Sequence, residues 1–347
     1  MNKLRIAQYN VWKSKDRVMI PLLGAQETSR YDILAIQEPW QNTKVNATHC
    51  PSGCDFWPDT AKEFRSKVCF LINKRLSLAT WSTKHHQPNL STLTLKLPNQ
   101  TIHIHNAYSQ PPAANNRIDR NSPIFSLQHL LETPGEHLIV GDFNLHHPEW
   151  GGPRCLSRHL MADDLLQVTL EHELQLLTEP GTITWRRRSS ESTIDLAFAT
   201  QRLAGKVLQY GPSADLDHGS DHIPLALLLS LEEPLPLIQL QPKRRWKRMD
   251  RRAIAAGAQH LTQPQQLRTA QEIDQYIDYL HEFMDSLVQH TVPLAKPYSK
   301  QACAWWTTEV NDAVREERAA RRQGASAEQI QQLLKTKKRI IRRAKQR

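Results

Sequence analysis

A short apolar segment leads to two polar side chains that together could bind a phosphate group and a metal ion. Leu138–Val140 has the composition of a buried strand, and Gly141 permits a close approach to neighbouring backbone. Asp142 and Asn144 follow two residues apart, so on an extended backbone both side chains project to the same side. A carboxylate and a carboxamide at one place suit a phosphate-and-metal site, although a strand that ends in an Asp/Asn turn would show the same pattern.

Two other predicted strands end in a side chain that can hydrogen-bond to a phosphate. Asn10 stands near the end of the alternating segment 4–12, and its carboxamide both donates and accepts. Tyr108 ends the alternating segment 101–108, before a proline-stiffened loop, and its phenol can donate to a phosphate oxygen. A turn asparagine and a half-buried strand aromatic are the ordinary alternatives for these two residues.

Glu38 places a carboxylate at the end of the apolar segment 31–38, directly before Pro39. A carboxylate at the end of a buried strand is costly unless it is paired or bound to a metal ion. Oxygen ligands of this kind suit Mg²⁺, with Mn²⁺ as the second choice. The alternative is a glutamate that simply faces solvent at the strand end.

A histidine and its candidate partner occur in the last third of the neutral part of the chain. Asp195 is a lone charge inside the predicted strand 192–198, and such a charge needs a partner. His222 follows Asp221 just before the apolar strand 223–229. A histidine can exchange a proton near neutral pH, and a carboxylate on its far nitrogen would fix its tautomer.

The elements that must position these residues alternate between strands and helices. Apolar alternation and helical spacing predict strands at 4–12, 31–38, 67–73, 91–97, 101–108, 138–140, 182–185, 192–198 and 223–229, and helices at 17–30, 121–133, 159–176, 270–290 and 308–346. With 347 residues and 39% hydrophobic residues, the chain can bury a large core.

Positive charge is concentrated in the C-terminal third. Residues 1–240 contain 23 Lys/Arg and 24 Asp/Glu, whereas residues 241–347 contain 22 and 11. This asymmetry indicates a nearly neutral domain at 1–230, a Pro-rich and basic linker at 231–250 and a basic helical extension at 251–347. A basic extension is typical of a nucleic-acid partner, and a solvated charged helix is the alternative.

Two basic clusters are candidate DNA-binding segments, and the tail is a candidate for RNA binding. They comprise Arg186, Arg187 and Arg188 in a loop, and Lys243, Arg244 and Arg245 beside Trp246. The second cluster could equally be a nuclear import signal or a solvated linker. We expect reduced cysteines, an intracellular and nuclear protein, and no membrane segment, because no signal peptide or long apolar run is visible.

The strand-end residues occur in an order that resembles one enzyme superfamily. Asn10, Glu38, Tyr108, Gly-Asp-Phe-Asn at 141–144, Ser-Thr-Ile-Asp at 192–195 and Ser-Asp-His at 220–222 each lie at or beside a strand end. Over residues 1 to about 230 this combination resembles the endonuclease/exonuclease/phosphatase superfamily, related to the exonuclease III type of abasic-site endonucleases and to DNase I. The resemblance implies a four-layer α/β sandwich of two mixed sheets flanked by helices, and a Mg²⁺-dependent hydrolase of phosphodiester bonds.

The resemblance also implies a role for each residue. Glu38 is similar to the principal metal ligand, and Asn10 and Asp221 are also on the metal side. Asp142 resembles the carboxylate that activates water, and Asn144 and Tyr108 resemble the phosphate-binding groups. His222, oriented by Asp195, resembles the group that polarises the phosphate. Trp12 is a departure, because abasic-site endonucleases often carry an aspartate there.

Within this superfamily, a narrower group of endonucleases resembles the sequence more closely. Tyr-Ser-Gln-Pro-Pro at 108–112, His146-His147-Pro148 after the Asp142 motif, and Thr184-Trp185 resemble the endonuclease domain of non-LTR (LINE-type) retrotransposons. The segment 304–310 resembles the connector that precedes reverse transcriptase in such elements, so a truncated element or a fragment is expected.

The implied activity is DNA nicking that leaves a 3′-hydroxyl for target-primed reverse transcription. Three alternatives stay open: an abasic-site repair endonuclease, a phosphatase for phosphoinositides or other small phosphate esters, and a non-catalytic nucleic-acid-binding remnant.

Overall fold

The computed structural model describes residues 3–42, 44, 46–51, 54–112, 121–153, 155–187, 189–232, 235, 244–264, 267–294, 307–323 and 325–346. Their strands are β1 (Lys3–Asn10), β2 (Ile33–Gln37), β3 (Gln41–Asn42), β4 (Ala47–Thr48), β5 (Phe56–Asp59), β6 (Val68–Asn73), β7 (Trp81–Gln87), β8 (Leu90–Leu97), β9 (Gln100–Tyr108), β10 (Glu136–Asp142), β11 (Leu174–Leu176), β12 (Trp185–Arg187), β13 (Ser190–Ser192), β14 (Asp195–Thr200), β15 (Val207–Pro212) and β16 (Leu225–Ser230).

Two six-stranded mixed sheets contain most of these strands. The first has the order β15-β16-β1-β2-β6-β5, and the second has the order β11-β14-β10-β9-β8-β7. Within each sheet one central pair is parallel, β1 with β2 and β9 with β10, and the other neighbouring pairs are antiparallel. Two small hairpins, β3-β4 and β12-β13, stand apart from the sheets.

Helices complete the architecture. They are α1 (Ile20–Gly24), α2 (Pro123–Leu130), α3 (Pro148–Gly151), α4 (Leu160–Glu171), α5 (Gln201–Ala204), α6 (Arg251–Ala258), α7 (Ala270–Thr291), α8 (Thr308–Arg322) and α9 (Ala327–Gln346). No helix within the described ranges is both long and apolar enough to cross a bilayer.

Three hydrophobic clusters define four layers. The central cluster joins the two sheets, with Ile6 and Phe70 from the first sheet and Ile104 from the second. A second cluster packs α2 and α4 on the outer face of the second sheet, and a third packs α1 on the outer face of the first. The predicted four-layer α/β sandwich is therefore confirmed, because each sheet buries one face on the other and one face under helices.

Several predicted boundaries were wrong. Residues 17–30 do not form one amphipathic helix: a π-helical turn at Lys15–Met19 leads into the short α1, and a 3₁₀ turn follows at Thr28–Arg30. Pro21 lies at the start of α1, where a proline is tolerated, and α1 ends at Gly24, a poor helix former. The predicted helix 308–346 is two helices, α8 and α9.

The cysteine prediction was also wrong for one pair. Cys50 and Cys54 form a disulfide with 6.4 Å between their Cα atoms, whereas Cys69 and Cys155 are free.

The chain divides into two compact units. One comprises Met1–Ile238 with Lys300–Arg347, and the other comprises Gln239–Ser299. The first unit thus contains α8 and α9 together with the sandwich, and the second contains α6 and α7. The division of the sequence at residues 230 and 250 stays a prediction.

Gly141 lies where the central strands of the second sheet come closest. A Cβ at this position would stand 2.2 Å from the carbonyl oxygen of Ala107 on β9. We expect Gly141→Ala to lower the free energy of unfolding by at least about 1–3 kcal/mol, because backbone cannot move aside as a flexible side chain can. Urea denaturation measures the effect, with Gly205→Ala as the matched control, since its nearest contact is 3.6 Å away. Equal effects of the two substitutions would contradict the clash.

A chain of neutral histidines crosses the second sheet away from the strand ends. His137 Nε2 donates to the carbonyl of Thr133 at 2.9 Å, so its Nδ1 accepts from His105 Nε2 at 3.0 Å. His105 Nδ1 in turn accepts from the hydroxyl of Thr92. Burial, followed by the neighbouring histidines, lowers the pKa of His105 well below its usual value. Burial also lowers the pKa of His86, which bonds to Thr92, to about 4.

These depressed pKa values predict acid lability. A histidine that is neutral when folded binds fewer protons than in the unfolded chain, so its contribution to stability is complete above about pH 6.5 and is lost as pH falls. We expect the Tm to decrease between about pH 6.5 and pH 4, and His105→Gln to weaken that dependence. Thermal unfolding across this range is the measurement, and identical pH profiles for the two proteins would rule out the histidine chain as the cause.

Candidate active site

The carboxyl ends of the central parallel strands bring four of the predicted residues to one edge of the sandwich. Asn10 ends β1 and Glu38 follows β2, and these strands run parallel. Tyr108 ends β9 and Asp142 ends β10, which are also parallel and pair Asp142 with Tyr108 in register. Parallel neighbours end at the same edge of a sheet, and packing the two sheets together places both edges side by side.

Asp142 is the centre of the hydrogen-bond network. Its side chain is 1% exposed and accepts from the carboxamides of Asn10 at 2.8 Å and Asn144 at 3.0 Å. The backbone N–H of Asn144 donates to the other carboxylate oxygen at 3.1 Å. Asn144 also donates to the carbonyl of Ser109, and its φ of +51° turns the chain back toward the carboxylate. The predicted same-side placement of Asp142 and Asn144 is therefore observed, but through a left-handed turn.

His222 lies between two buried carboxylates. Its Nδ1 is 2.9 Å from Asp195 Oδ2, and its Nε2 is 3.6 Å from Asp142 Oδ2. Antiparallel pairing of β10 with β14 sets Asp142 opposite Asp195, which explains why one imidazole reaches both. Asp195 is therefore the partner of His222, as its isolation inside a strand predicted.

The carboxylates hold a proton on His222. Burial on its own would lower the pKa of His222, but the charges of Asp195 and Asp142 outweigh burial and raise the pKa to about 10. Burial also raises the pKa of the Asp142 carboxyl above its usual range, and the positive imidazolium opposes that rise. The His222 imidazole therefore carries an N–H donor on Nε2, and this nitrogen faces Asp142.

Glu38 stands next to this network in a strained conformation. Its φ is +47°, and Trp12 (+48°) and Lys13 (+52°) adopt the same left-handed region. The Glu38 carboxylate is paired with Lys13 Nζ at 2.7 Å and hydrogen-bonds to the phenol of Tyr108. Burial and the charges of Glu38 and Asp142 raise the pKa of Tyr108, so this phenol remains a donor. Left-handed conformations in residues other than glycine are costly and concentrate at functional sites.

Two places in the site could hold a cation. Among the residues that the structure describes, Asp142, Asp195 and His222 offer ligand atoms that all lie within 4.8 Å of one another. His222 Nδ1 is bonded to Asp195, so Nε2 is the ring nitrogen that could face a metal ion in this trio. Glu38 already binds a cation, the ammonium of Lys13, and its oxygens are the ligand type that Mg²⁺ prefers. Glu38 and the His222 trio are therefore two places whose donor atoms could hold a divalent ion.

Asp221 lies outside the buried trio. Its carboxylate accepts from Trp185 Nε1 at 3.3 Å and from the hydroxyl of Ser220 at 3.4 Å, and the residue is half-buried. The Ser220 hydroxyl also bonds to the carbonyl of Asn10 at 2.8 Å. This serine thereby attaches the segment that contains Asp221 and His222 to the end of β1.

The predicted DNA-binding residues fall in different places. Arg186 and Arg187 lie on the exposed hairpin β12-β13, where Arg186 pairs with Glu191 and the Arg187 guanidinium lies 5.8 Å from the ring of Trp12. In the other unit, Arg244 donates to the carbonyl of Val292 at 2.7 Å and to two carbonyls in the last turn of α7.

The other three residues of the two clusters are Arg188, Lys243 and Arg245. Arg245 is half-buried and bonds through its backbone to Pro293. Arg188 and Lys243 lie outside the described residues. Within the cluster at 243–245, Arg244 is therefore hydrogen-bonded to the C-terminal end of α7.

Several supporting residues were not foreseen. Gln37 donates to Asn106 at 2.7 Å, and Asn106 donates to the carbonyls of Ile36 and Cys69, so this buried pair joins the two sheets directly behind Glu38 and Tyr108. The phenol of Tyr9 accepts from the backbone of His218 and Ser220. A polar Asn106 inside an apolar strand was the only signal available in the sequence.

Comparison with known proteins gives the following matches. A family model described as endonuclease-reverse transcriptase matches residues 102–226. The endonuclease domain of TRAS1, a telomere-specific non-LTR retrotransposon, is 18% identical with a TM-score of 0.49, over 66% of this chain and 100% of that chain. An AP endonuclease from Leishmania major is 12% identical with a TM-score of 0.50, over 66% and 88%. An AP endonuclease from Archaeoglobus fulgidus is 17% identical with a TM-score of 0.45, over 66% and 100%. A search of curated protein sequences found no match.

The matched segment 102–226 begins in β9 and extends past His222, so it contains Tyr108, Asp142, Asn144 and the imidazole with both of its carboxylate partners. The double-sheet fold supplies the remaining strand ends, with Asn10 and Glu38. On these grounds the segment 102–226 resembles the endonuclease-reverse transcriptase family, and the chain has a fold similar to that of the AP endonuclease from Leishmania major.

Proposed function

We propose that this protein is a metal-dependent endonuclease that nicks DNA and leaves a 3′-hydroxyl, as the target-site cleavage of a non-LTR retrotransposon requires. The observation that carries the proposal is the convergence of Asn10, Glu38, Tyr108, Asp142 and His222 on one edge of the sandwich. These groups supply a cation site, phosphate hydrogen-bond donors, a base and an acid within one network.

The donors would bind the scissile phosphate. Asn10 and Asn144 present carboxamides and His222 presents Nε2–H next to Asp142, and Tyr108 presents a phenol next to Glu38. Such donors stabilise the negative charge that develops on a phosphodiester as it is attacked, and losing one typically costs about 10²–10³ in rate.

Asp142 would position the attacking water and accept its proton. The carboxylate is held by Asn10 and Asn144, so its orientation is set before substrate binds. His222, oriented by Asp195, would donate to a phosphate oxygen and offset the negative charge next to Asp142. Glu38, with Asn10 and Asp221, would hold the divalent ion. A bound Mg²⁺ would act as a Lewis acid on the phosphate and stabilise the leaving oxygen.

The description of the matching family model, endonuclease-reverse transcriptase, supports a retrotransposon setting. The abasic-site alternative draws on the fold shared with the Leishmania major enzyme. Trp12 favours the first, because an exposed tryptophan replaces the aspartate that abasic-site enzymes often carry. Nuclear localisation, DNA as the partner and RNA binding by the basic tail belong to this proposal.

A plasmid-nicking assay with Mg²⁺ tests the proposal. Wild-type protein is expected to convert supercoiled plasmid to nicked circles, and His222→Ala is expected to nick at least about 10²-fold more slowly. Polymerase extension directly from the nick reports a 3′-hydroxyl. Equal, negligible nicking by wild type and variant would favour the non-catalytic remnant.

Matched oligonucleotides with and without one abasic site separate the two nuclease activities. Cleavage of the intact duplex at a similar or higher rate supports the retrotransposon endonuclease, whereas strong preference for the abasic duplex supports repair. Hydrolysis of inositol phosphates without DNA cleavage would move the protein to the phosphatase branch.

A further inference from the structure

A positively charged cleft opens beside the candidate active site, between the segment Lys13–Arg17 and helix α9. Its volume is about 470 Å³. We call it the α9 cleft. The cations that line it are Lys13, Lys15, Arg17, Lys338, Arg342 and Lys345, against the single carboxylate of Asp16. None of these residues belongs to the basic clusters that the sequence singled out, and half of them lie beyond the sandwich.

Helix α9 presents these cations on one face. Lys338, Arg342 and Lys345 are spaced by four and three residues, which places them above one another on a helix. The helix is anchored by the residue that precedes Lys338. Lys337 is 1% exposed, pairs with Glu317 of α8 at 2.9 Å and donates to the carbonyl of His218 at 3.3 Å. A buried pair of this kind holds α9 in register against the segment that leads to His222.

The α9 cleft is continuous with the candidate active site. Lys13 lines the cleft and also contacts the carboxylate of Glu38 at 2.7 Å. Trp40, two residues after Glu38, lines the cleft as well and has the Lys15 ammonium 4.4 Å above its ring. A polyanion that reached Glu38 would therefore enter the cleft without leaving the protein surface.

Like charges crowd together in the cleft. Burial, then the charges of Arg17 and Lys337, lower the pKa of Lys338 below its usual value. Two ion pairs, Lys345 with Asp16 and Lys13 with Glu38, offset part of the positive charge. A solvated helix face would spread its cations outward, whereas here cations from two distant parts of the chain face one another. A ligand with closely spaced negative charges relieves that repulsion, and DNA carries one phosphate per about 1.7 Å of duplex.

We propose that the α9 cleft binds the sugar–phosphate backbone of duplex DNA that flanks the scissile phosphate. The inference rests on the proposed endonuclease function and assigns to α9, outside the strand-end site, a part in substrate binding. Phosphate contacts position a duplex without reading its sequence, so the cleft would set affinity and register but not base preference.

Equilibrium binding of the full chain to a fluorescent DNA duplex in EDTA tests the proposal without cleavage. The test variant is Lys338→Ala with Arg342→Ala. Its matched control is Arg339→Ala with Arg343→Ala, which removes the same charge at the same spacing from exposed positions that do not line the cleft. We expect the test variant to bind several-fold more weakly and to lower the slope of log K against log salt by about two, with a much smaller change in the control.

Three outcomes would overturn the proposal. Equal weakening by both double variants would show diffuse attraction to a basic helix, and no weakening by either would show that the cleft is not used. Selective loss of RNA duplex affinity, with DNA affinity unchanged, would assign the cleft to RNA. Thermal unfolding verifies that both variants fold.

Failure of the endonuclease proposal is distinguishable from failure of the cleft proposal. If the wild-type protein never nicks plasmid but only the test variant loses DNA affinity, the cleft proposal stands and the endonuclease proposal fails. If the wild-type protein nicks plasmid and both double variants bind DNA equally well, the endonuclease proposal stands and the cleft proposal fails.

Discussion

Replacing Asp142 with asparagine is expected to slow plasmid nicking by about 10²–10⁴-fold, the range for loss of a positioned general base. The substitution keeps the shape of the side chain and removes its charge and basicity. The same carboxylate orients Asn10 and Asn144 and faces the His222 imidazolium, so its loss also misaligns the phosphate donors. Single-turnover nicking at saturating protein measures the chemical step directly.

A double variant shows whether Asp142 and His222 act together. Groups that form one catalytic unit are strongly non-additive, so Asp142→Asn with His222→Ala should be little slower than the more damaging single substitution. Thermal unfolding of each variant separates lost chemistry from lost folding. A nicking rate within a few-fold of wild type for Asp142→Asn would remove this carboxylate from the reaction.

Replacing Glu38 with glutamine should abolish most metal-dependent activity. A Lewis acid at a phosphoryl oxygen contributes several kcal/mol, which corresponds to roughly 10²–10⁴ in rate at about 1.4 kcal/mol per decade. Because the amide binds Mg²⁺ more weakly, part of this loss should be recovered at higher Mg²⁺ or with Mn²⁺. Nicking rates measured over a metal titration report both the reduced affinity and the residual maximal rate.

Lys13→Ala is the control that gives the Glu38 result its meaning. If Glu38 serves only to pair with Lys13, removing either partner should have the same effect. If Glu38 binds the metal, Lys13→Ala should weaken DNA binding but leave the metal dependence and the maximal rate near wild type. Glu171→Gln, an exposed carboxylate on α4, shows the effect of losing one negative charge elsewhere.

The strand-end residues were predictable because each lies beside a strong local pattern. Apolar runs before Asp142 and Glu38 mark buried strands, and period-two alternation before Tyr108 marks a sheet. A polar group directly after such a run is a candidate site residue, and a turn residue or a solvent-facing strand end gives the same pattern. The pairing of Asp195 with His222 followed from the cost of a lone charge in a buried strand, which requires a partner somewhere in the fold.

The boundaries of the helices were harder to predict from the sequence, because the ends of short helices depend on the surfaces against which they pack. The segment 15–24 packs its apolar residues onto the first sheet as a π turn and a short helix, a shape that helical periodicity cannot specify. Likewise, the spacing of four residues between Cys50 and Cys54 is compatible with either redox state, so their disulfide could not be predicted from the sequence.

The residue types at the candidate site, their order and the strands that end in them are properties of the chain read from end to end. The distances between them are not, because they depend on two sheets packing face to face. Only that packing sets Asn10 and Asp142 at 2.8 Å and encloses His222 between two carboxylates, which raises its pKa to about 10. Likewise, a basic C-terminal segment was evident from composition, but burial of Lys337 against Glu317 placed one face of α9 beside Lys13. Charge is a property of residues, whereas a binding surface requires that distant residues be held at fixed separations, and the hydrophobic core and buried pairs provide that constraint.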